Sequence, residues 1–253
     1  MAQIIAIANQ KGGVGKTTTT INLAAGLGRN GKSVLIVDLD PQGNASSGLS
    51  IDIHKTERTI YEILLDEYSL AECILETPEK GVQIVPSNVN LSGIEVDLLE
   101  SDDRNFKLKS YLDPIRNRFD VVLIDCPPNL GILTLNALCA ADGVIIPLQT
   151  EYYALEGITQ LVKVVQMVQK SLNPALVLTG VLLTMYDQRT NLSRMVVDDV
   201  RSHFQETVFE TIVPRNVKLS EAPSYGQSIL TYAVDSPGAV AYLSVTKELL
   251  SRL

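Results

Sequence analysis

The chain of 253 residues predicts an α/β fold, with a doubly wound, mostly parallel sheet and helices on both faces. Short apolar segments alternate with segments of helical length along the whole chain. The apolar segments are continuous rather than alternating, as in Val34–Val37 and Val121–Ile124. Strands that are covered on both faces have this pattern, and strands that alternate with helices form parallel sheets. The sequence shows no internal repeat and no Pro-, Gly- or Ser-rich linker, so we expect one domain over residues 1–253.

The predicted elements follow in order from apolar runs and from local start and stop signals. The strands cover Gln3–Asn9, Ser33–Val37, Val82–Val85, Asp120–Ile124, Val144–Leu148, Leu176–Leu183 and Val208–Val213. The helices cover Thr17–Asn30, Thr59–Glu67, Arg104–Arg118, Ile132–Ala140, Leu155–Lys170, Leu192–Phe204 and Pro237–Leu250. Gly31 is a typical helix C-cap, Pro86 ends a strand, and Ser236 with Pro237 is typical of a helix start. The helix over Arg104–Arg118 is predicted despite Pro114.

Composition and charge exclude several classes of protein. Hydrophobic residues make up 45% and charged residues 20%, which are ordinary globular values. The apolar runs are too short to cross a bilayer, and the N-terminus has no basic region of a secretory signal. Cys73, Cys126 and Cys139 lack disulfide or zinc spacing and fit reduced thiols. We therefore expect a cytoplasmic protein.

The net charge of −8 argues against an extensive basic surface for nucleic acid. The acidity, however, is concentrated in the front half. Residues 1–150 hold 12 basic and 19 acidic residues, whereas residues 151–253 hold 9 and 10. A local basic face in the back half therefore remains open.

A glycine-rich segment, Lys11-Gly12-Gly13-Val14-Gly15-Lys16-Thr17-Thr18, lies between the first predicted strand and helix. Glycines let the backbone curl around phosphate oxygens, and the helix adds its positive N-terminal end. Lys16 can reach the β- and γ-phosphates, and the Thr17 hydroxyl can bind Mg²⁺. The usual pattern has glycine where this chain has Gln10, and Lys11 is an additional lysine inside the loop.

Acidic residues follow two of the predicted strands. Asp125 ends one strand and could hold Mg²⁺ through a water molecule. Asp38 and Asp40 end another, and a carboxylate there could orient an attacking water. Taken alone, these acids could equally be turn or capping residues.

Together these segments resemble the ParA/MinD class of ATPases. Lys11–Thr18 resembles its deviant Walker A motif, Asp38–Asn44 its second box, and Asp125–Pro128 its Walker B and switch region. Glu151–Gly157 and Pro214–Pro223 are similar to segments of chromosomal ParA proteins of the Soj type. The resemblance covers about residues 1–226 and implies a P-loop NTPase fold of the deviant Walker A type.

The resemblance implies an ATPase that uses ATP and Mg²⁺ and forms a sandwich homodimer around two ATP molecules. Lys16 then serves the phosphates of its own subunit, Lys11 reaches the partner's nucleotide, and Asp40 positions the water. All eight residues of the loop would contact the nucleotide, with adenine at Pro214, Arg215 and Asn216. The ATP-bound dimer would bind double-stranded DNA without sequence preference on the nucleoid. A ParB-type partner would stimulate hydrolysis and support chromosome segregation.

The cations expected to contact DNA are Arg189, Arg194, Lys218 and Lys247. Arg189 lies in a polar loop before a predicted helix, where the resemblance places a DNA-binding cation. Few aromatic residues accompany these cations, which favours contact with phosphates over base stacking. Each of them could equally be solvated surface charge.

Three alternatives use related chemistry. A MinD-like ATPase would cycle on membranes through a basic amphipathic helix, but Val245–Leu253 carries only two basic residues, so we expect no membrane partner. A ParA-like ATPase could instead position a plasmid or another cargo. A metabolic ligase, or a relative of the nitrogenase iron protein, would make Cys126 and Cys139 candidate cluster ligands, although neither lies in a recognisable ligand motif.

Overall fold

The structure, a computed structural model, describes residues 1–151 and 154–253. The Glu151–Gly157 segment of the resemblance includes Tyr152 and Tyr153, which lie outside the described residues. The strands are β1 (Gln3–Ile7), β2 (Val34–Asp38), β3 (Leu75–Glu76), β4 (Val82–Val85), β5 (Val121–Asp125), β6 (Gly143–Gln149) and β7 (Val177–Thr184).

The helices are α1 (Lys16–Arg29), α2 (Asn44–Ser47), α3 (Ile60–Leu64), α4 (Ile94–Asp97), α5 (Lys107–Leu112), α6 (Ile132–Ala140), α7 (Ala154–Ser171), α8 (Asn191–Phe204), α9 (Val217–Glu221), α10 (Ile229–Tyr232) and α11 (Pro237–Arg252). In the described part of the chain, no helix is both long enough and apolar enough to cross a bilayer.

One sheet runs through the molecule with strand order β3-β4-β2-β5-β1-β6-β7. Its pairs are parallel except that between β3 and β4. The chain leaves β1 towards β2 on one side and later returns to β6 on the other, so the order reverses next to β1. Ligands of such sheets bind in the crevice at the carboxyl ends of the strands, where this reversal occurs.

Each face of the sheet is covered by its own apolar core, because successive side chains of a strand point to opposite faces. In β1, Ile4 belongs to one core and Ile5 to the other. The first core contains residues of α6 and α7, and the second contains residues of α1 and α11. The predicted fold class is confirmed, and the helix over Ile132–Ala140 has the predicted bounds.

Two predicted elements are wrong. The segment Val208–Val213 is not a strand in the described structure. Val208 forms an isolated bridge with Val181 of β7, and the adjoining Pro214 forms one with Tyr186, two residues beyond β7. The amide groups of Glu210 and Thr211 instead donate to the Glu248 carboxylate of α11, at 2.7 and 2.9 Å. The amides of Phe209 and Val213 still donate to the Val181 and Leu183 carbonyls of β7, so the carboxylate interrupts the ladder between them.

The long helix predicted over Arg104–Arg118 is also shorter than expected. It is confined to α5, Lys107–Leu112, and continues as a single 3₁₀ turn over Asp113–Ile115. Pro114 has no amide hydrogen to donate and its ring crowds the preceding turn, which ends the α-helix there.

Candidate nucleotide-binding site

The glycine-rich loop connects β1 to α1 at the carboxyl end of the sheet. Gly13 and Gly15 adopt left-handed backbone conformations, with φ of 73° and 91°, which residues with a side chain rarely do. Gly15 is also the N-cap of α1. The buried Thr184 hydroxyl donates to the Val14 carbonyl at 2.8 Å, and the Asn9 amide donates to the Pro147 carbonyl at 2.8 Å. The curl of the loop is therefore held by the ends of β6 and β7.

A main cavity of about 590 Å³ opens in front of this loop. Its walls include Gly12, Gly13, Gly15, Lys16, Thr17, Thr18, Asp40, Gln42, Asn44, Pro128, Met185 and Pro223. A side cavity of about 180 Å³ adjoins it, with Gly15, Thr18 and Met185 in both walls. Pro214, Arg215 and Asn216 line the side cavity, so the structure brings this distant segment next to the loop.

Lys16 is the cation inside the main cavity. Its exposed fraction is 7%, and its Nζ donates to the Lys11 carbonyl at 3.1 Å. Burial lowers the pKa of Lys16, while the charges of Asp125 and Asp40 act in the opposite direction. A buried ammonium with one backbone acceptor has donors to spare for an anion.

Asp125 joins the loop to the end of β5. Its carboxylate accepts the Thr17 hydroxyl at 2.7 Å and the Thr20 hydroxyl at 3.0 Å. Asp38 is its register partner at the end of β2 and accepts the Ser46 amide and hydroxyl at 2.9 and 2.7 Å. Burial raises the pKa of both carboxyl groups, and the negative charge of Asp38 raises that of Asp125 further. Such a pair favours a state that retains a proton, although the nearby Lys16 charge acts in the opposite direction on the pKa of Asp125.

Asp40 lies on the loop after β2 and faces the main cavity. Its exposed fraction is 8%. Its amide donates to Asp38 at 3.1 Å, and its own carboxylate accepts the Gln42 amide at 3.0 Å. Asp38 therefore shapes the turn, and Asp40 keeps acceptor capacity towards the cavity.

Lys11 lines a different cavity from Lys16. It lines an outer cavity of about 500 Å³ together with Gln10, Pro128, Asn129, Gly157 and Gln160. Its side chain is 40% exposed, and its Nζ is 3.6 Å from the Glu151 carboxylate. The Arg215 guanidinium approaches the same carboxylate at 3.7 Å. The two lysines of the loop thus face different spaces.

Comparison with known proteins assigns the family. A family model described as an AAA domain matches residues 2–178. The chromosome partitioning protein ParA of Myxococcus xanthus is 51% identical over 252 residues, covering 100% of this chain and 89% of that protein. The sporulation initiation inhibitor protein Soj of Bacillus subtilis is 50% identical and is covered over 98% of both chains. The chain belongs to the ParA/Soj family of chromosome-partitioning ATPases.

Solved structures agree with this fold. A Mycobacterium smegmatis protein named as a cobyrinic acid a,c-diamide synthase, with bound ADP and magnesium, is 40% identical with a TM-score of 0.88, covering 99% of this chain and 94% of that one. The cell division ATPase MinD of Pyrococcus furiosus is 27% identical with a TM-score of 0.83 over 100% of both chains. The chain is therefore an ATPase of the P-loop, ParA/MinD type, and similar solved structures hold an ATP analogue or ADP with magnesium.

The residues proposed for DNA contact lie away from the loop in sequence and differ in their surroundings. Arg189 precedes α8 and is paired with Asp187, and Lys218 in α9 is paired with Glu221. Arg194 in α8 and Lys247 in α11 form no ion pair within residues 1–151 and 154–253. Arg194 and Lys247 are therefore the uncompensated cations of this set.

Sequence reasoning missed several residues that build the site. Thr20 and Ser46 supply hydroxyl groups to the two buried carboxylates, and Thr184 supports the loop. Met185 stands between the main and side cavities in a left-handed conformation, with φ of 54°. Thr20 lies one helical turn beyond Lys16 of the motif, which is a signal that could have been used. The roles of Ser46, Thr184 and Met185 depend on long-range packing.

The metal-binding capacity of the site agrees with magnesium. The described residues contain no cluster of three or more His, Cys, Asp or Glu side chains that could hold a metal by themselves. Thr17 and Asp125 instead offer oxygen atoms next to the phosphate loop, and Mg²⁺ commonly takes one or two protein oxygens together with phosphates and water. This donor set fits Mg²⁺ bound with a nucleotide.

Proposed function

We propose that the chain binds ATP with Mg²⁺, dimerises around the nucleotide, and binds DNA without sequence preference on the nucleoid in the cytoplasm. Hydrolysis, stimulated by a ParB-type partner, releases it and supports chromosome segregation. One observation carries the proposal: Lys16 is buried in the main cavity, whereas Lys11 lines the separate outer cavity. A lysine outside the main cavity of its own subunit is available to contact phosphates that are bound to another subunit.

In this proposal, Lys16 and the loop amides hold the phosphates of the same subunit. The low exposure of Lys16 strengthens its attraction for phosphate, because little water screens the charge. All residues of the loop, Lys11 to Thr18, contact the nucleotide of one subunit or the other. Adenine lies in the side cavity against Pro214, Arg215 and Asn216.

Thr17 and Asp125 hold Mg²⁺. The Thr17 hydroxyl already donates its hydrogen to Asp125, which leaves its lone pairs free to face a metal ion. Asp125 therefore acts from behind Thr17 and through a water, and Asp38 adds to the negative potential. Magnesium bound there offsets the charge of the phosphate oxygens.

Asp40 orients the water that attacks the terminal phosphate. The Gln42 amide fixes its carboxylate, which faces the main cavity beside the loop. The Lys11 ammonium of the partner subunit completes the site by offsetting the charge that develops in the transition state, as an arginine finger does. Because this lysine comes from a second subunit, hydrolysis requires the dimer.

The DNA face is formed by Arg189, Arg194, Lys218 and Lys247 of each subunit. Dimerisation doubles these cations, and both subunits then bind one duplex with an avidity that a monomer lacks. A membrane role is less well supported by α11, because Arg252 donates to the backbone carbonyls of Thr179, Thr207 and Val208 and stacks on Phe209. This arginine is thus occupied within the protein.

The decisive experiment measures DNA binding and oligomeric state with ATP, with ADP and without nucleotide. We expect a dimer with tight duplex binding only in ATP, with equal affinity for unrelated sequences. Lys11→Ala should retain ATP binding by the monomer and lose both properties. DNA binding that is independent of nucleotide, or a Lys11→Ala protein that dimerises and hydrolyses ATP normally, would contradict the proposal.

Two further assays address the alternatives. Sedimentation with anionic liposomes and ATP tests the MinD-like function, and we expect the protein to remain in the supernatant. ParB-type proteins from chromosomal and plasmid loci, compared for stimulation of ATP hydrolysis, test the nature of the cargo. We expect the chromosomal type to stimulate more strongly.

A further inference from the structure

Arg189 is held by a carboxylate two residues before it. Its Nε and NH2 groups donate to the two oxygens of Asp187 at 2.8 and 2.6 Å, and its backbone amide donates to the same side chain at 3.0 Å. The Arg189 side chain is 81% exposed, whereas that of Asp187 is 20% exposed. A bidentate arginine–carboxylate pair has the geometry that an arginine–phosphate contact also needs. The carboxylate therefore occupies the donors that a DNA phosphate would use.

Lys218 has the same arrangement. Its Nζ is 2.8 Å from the Glu221 carboxylate, and Glu221 also accepts the Tyr232 hydroxyl at 3.0 Å. Both carboxylates are close in sequence to their cations, so each pair forms within a single subunit. Asp187 is additionally in the field of Arg215, whose positive charge, after the larger effect of Arg189, helps to lower the pKa of Asp187.

We propose that Asp187 and Glu221 are intramolecular competitors of DNA phosphate for Arg189 and Lys218, and that they keep the DNA affinity of a single subunit low. The inference rests on the proposed DNA-binding function. A DNA phosphate binds the Arg189 guanidinium only by displacing the Asp187 carboxylate. Each such contact therefore contributes less binding free energy than a contact with an unpaired arginine would. DNA binding then depends on summing contacts over two subunits, and release follows when the dimer separates.

The alternative is that Asp187 serves only the turn. Its backbone carbonyl accepts the Thr190 amide at 3.1 Å, and Thr190 caps α8. Asp187→Asn separates the two roles, because asparagine keeps an oxygen acceptor for the Arg189 amide and suits the same turn. It removes the negative charge that competes with phosphate and the second oxygen, which accepts the Arg189 NH2 group.

The matched control is Asp198→Asn. Asp198 is an exposed carboxylate of α8, one turn beyond Arg194, and it forms no ion pair in the described structure. Its substitution removes the same charge from the same region and thus measures the general electrostatic effect. Any increase in the DNA affinity of Asp187→Asn beyond that of the control is due to the release of Arg189.

The experiment titrates a DNA duplex of arbitrary sequence with the ATP-bound dimer at several salt concentrations. Asp187→Asn should bind about three- to tenfold more tightly than Asp198→Asn, as expected when an exposed pair is released in both subunits. Its salt dependence should also steepen by about one to two units, one added phosphate contact per subunit, whereas Asp198→Asn should keep the wild-type slope. ATP affinity, measured in parallel, reports any effect through Arg215.

The double variant Arg189→Ala/Asp187→Asn closes the thermodynamic cycle. When Arg189 is absent, Asp187→Asn should increase DNA affinity only as much as Asp198→Asn does in the wild-type background. Glu221→Gln tests the Lys218–Glu221 pair in the same way, measured both alone and combined with Lys218→Ala.

The outcomes separate the two proposals. If the wild type fails to bind duplex DNA with ATP, the proposed function itself fails. If the wild type binds and Asp187→Asn matches Asp198→Asn in affinity and slope, competition is refuted while DNA binding stands. Weaker binding by Asp187→Asn would show instead that the carboxylate orients Arg189 towards DNA.

Discussion

The buried pair of Asp38 and Asp125 predicts that the nucleotide-free protein loses stability as the pH rises. Both side chains are inaccessible to solvent and lie in register at the ends of β2 and β5. Burial raises the pKa of each, so the folded protein retains protons that the unfolded chain releases above the ordinary aspartate pKa of about 3.9. Stability is therefore greatest at low pH within this window and falls as the pH rises through the raised pKa values.

The magnitude follows from linkage. Each retained proton lowers the free energy of unfolding by about 1.4 kcal/mol per pH unit. For a chain of this length that corresponds to about 3–5 °C in melting temperature per pH unit. Exposed carboxylates with lowered pKa values, such as Asp52 and Glu221, are ionised in both states above about pH 5 and add no slope.

The assay is a melting scan between about pH 5.5 and pH 7.5, without nucleotide and with a chelator. Asp125→Asn should reduce the slope by at least half and melt higher at the upper pH, because asparagine carries no charge to repel Asp38, and its single oxygen can still accept one of the Thr17 and Thr20 hydroxyls. It should also lose Mg²⁺-dependent ATP hydrolysis. Mg²⁺ with ADP should stabilise the wild type more at the upper pH, because binding requires the ionised carboxylate.

Asp235→Asn is the control, since Asp235 is exposed and forms no ion pair among the described residues. It should melt with the wild-type slope. A wild type whose melting temperature is independent of pH over this range, or an Asp125→Asn protein with an unchanged slope, would show that the pair retains no proton.

Other substitutions test the remaining roles. Lys16→Ala should weaken ATP binding by tenfold or more, because a buried phosphate cation is lost, and isothermal titration measures this. Lys11→Ala should keep ATP binding within about threefold of the wild type but abolish the ATP-dependent dimer on a sizing column. Asp40→Ala should slow hydrolysis by about 10²-fold or more and leave a persistent ATP dimer; normal turnover would make Asp40 a turn residue. Thr184→Val should remove the support of the loop carbonyl, cost about 1–2 kcal/mol in stability and raise the KM for ATP.

Much of the fold could be predicted from sequence because its strands are continuous apolar runs and its helices have strong local signals. Helix α11 shows this, because Ser236 accepts the Ala239 amide as its cap and Pro237 is its first residue, as predicted. The segment Val208–Val213, wrongly predicted as a strand, also contains an apolar run, but the amides of Glu210 and Thr211 donate to Glu248 on the distant α11. Periodicity reports which residues are buried but not which partner satisfies the backbone.

The site divides in the same way. The loop residues and Asp125 are adjacent to recognisable local patterns, so sequence could nominate them. The pairing of Asp38 with Asp125 depends on the β2–β5 register, and the support from Thr184 depends on β7 reaching the loop. The placement of Lys11 and Lys16 in different cavities also depends on the path of the loop backbone. Their separation of five residues in the sequence does not determine that path.

The charge distribution is compatible with the proposed DNA binding of an acidic chain. The acidic excess lies in residues 1–150, and the four cations proposed for DNA lie in residues 151–253, where basic and acidic residues nearly balance. Arg189 and Lys218 are each neutralised within their own subunit, so a monomer offers DNA mainly Arg194 and Lys247. Two such subunits on one duplex double the available contacts, and the binding energy grows with their number while each contact stays weak. In the proposed function, weak contacts keep the DNA affinity of a single subunit low, and the paired carboxylates contribute to that weakness.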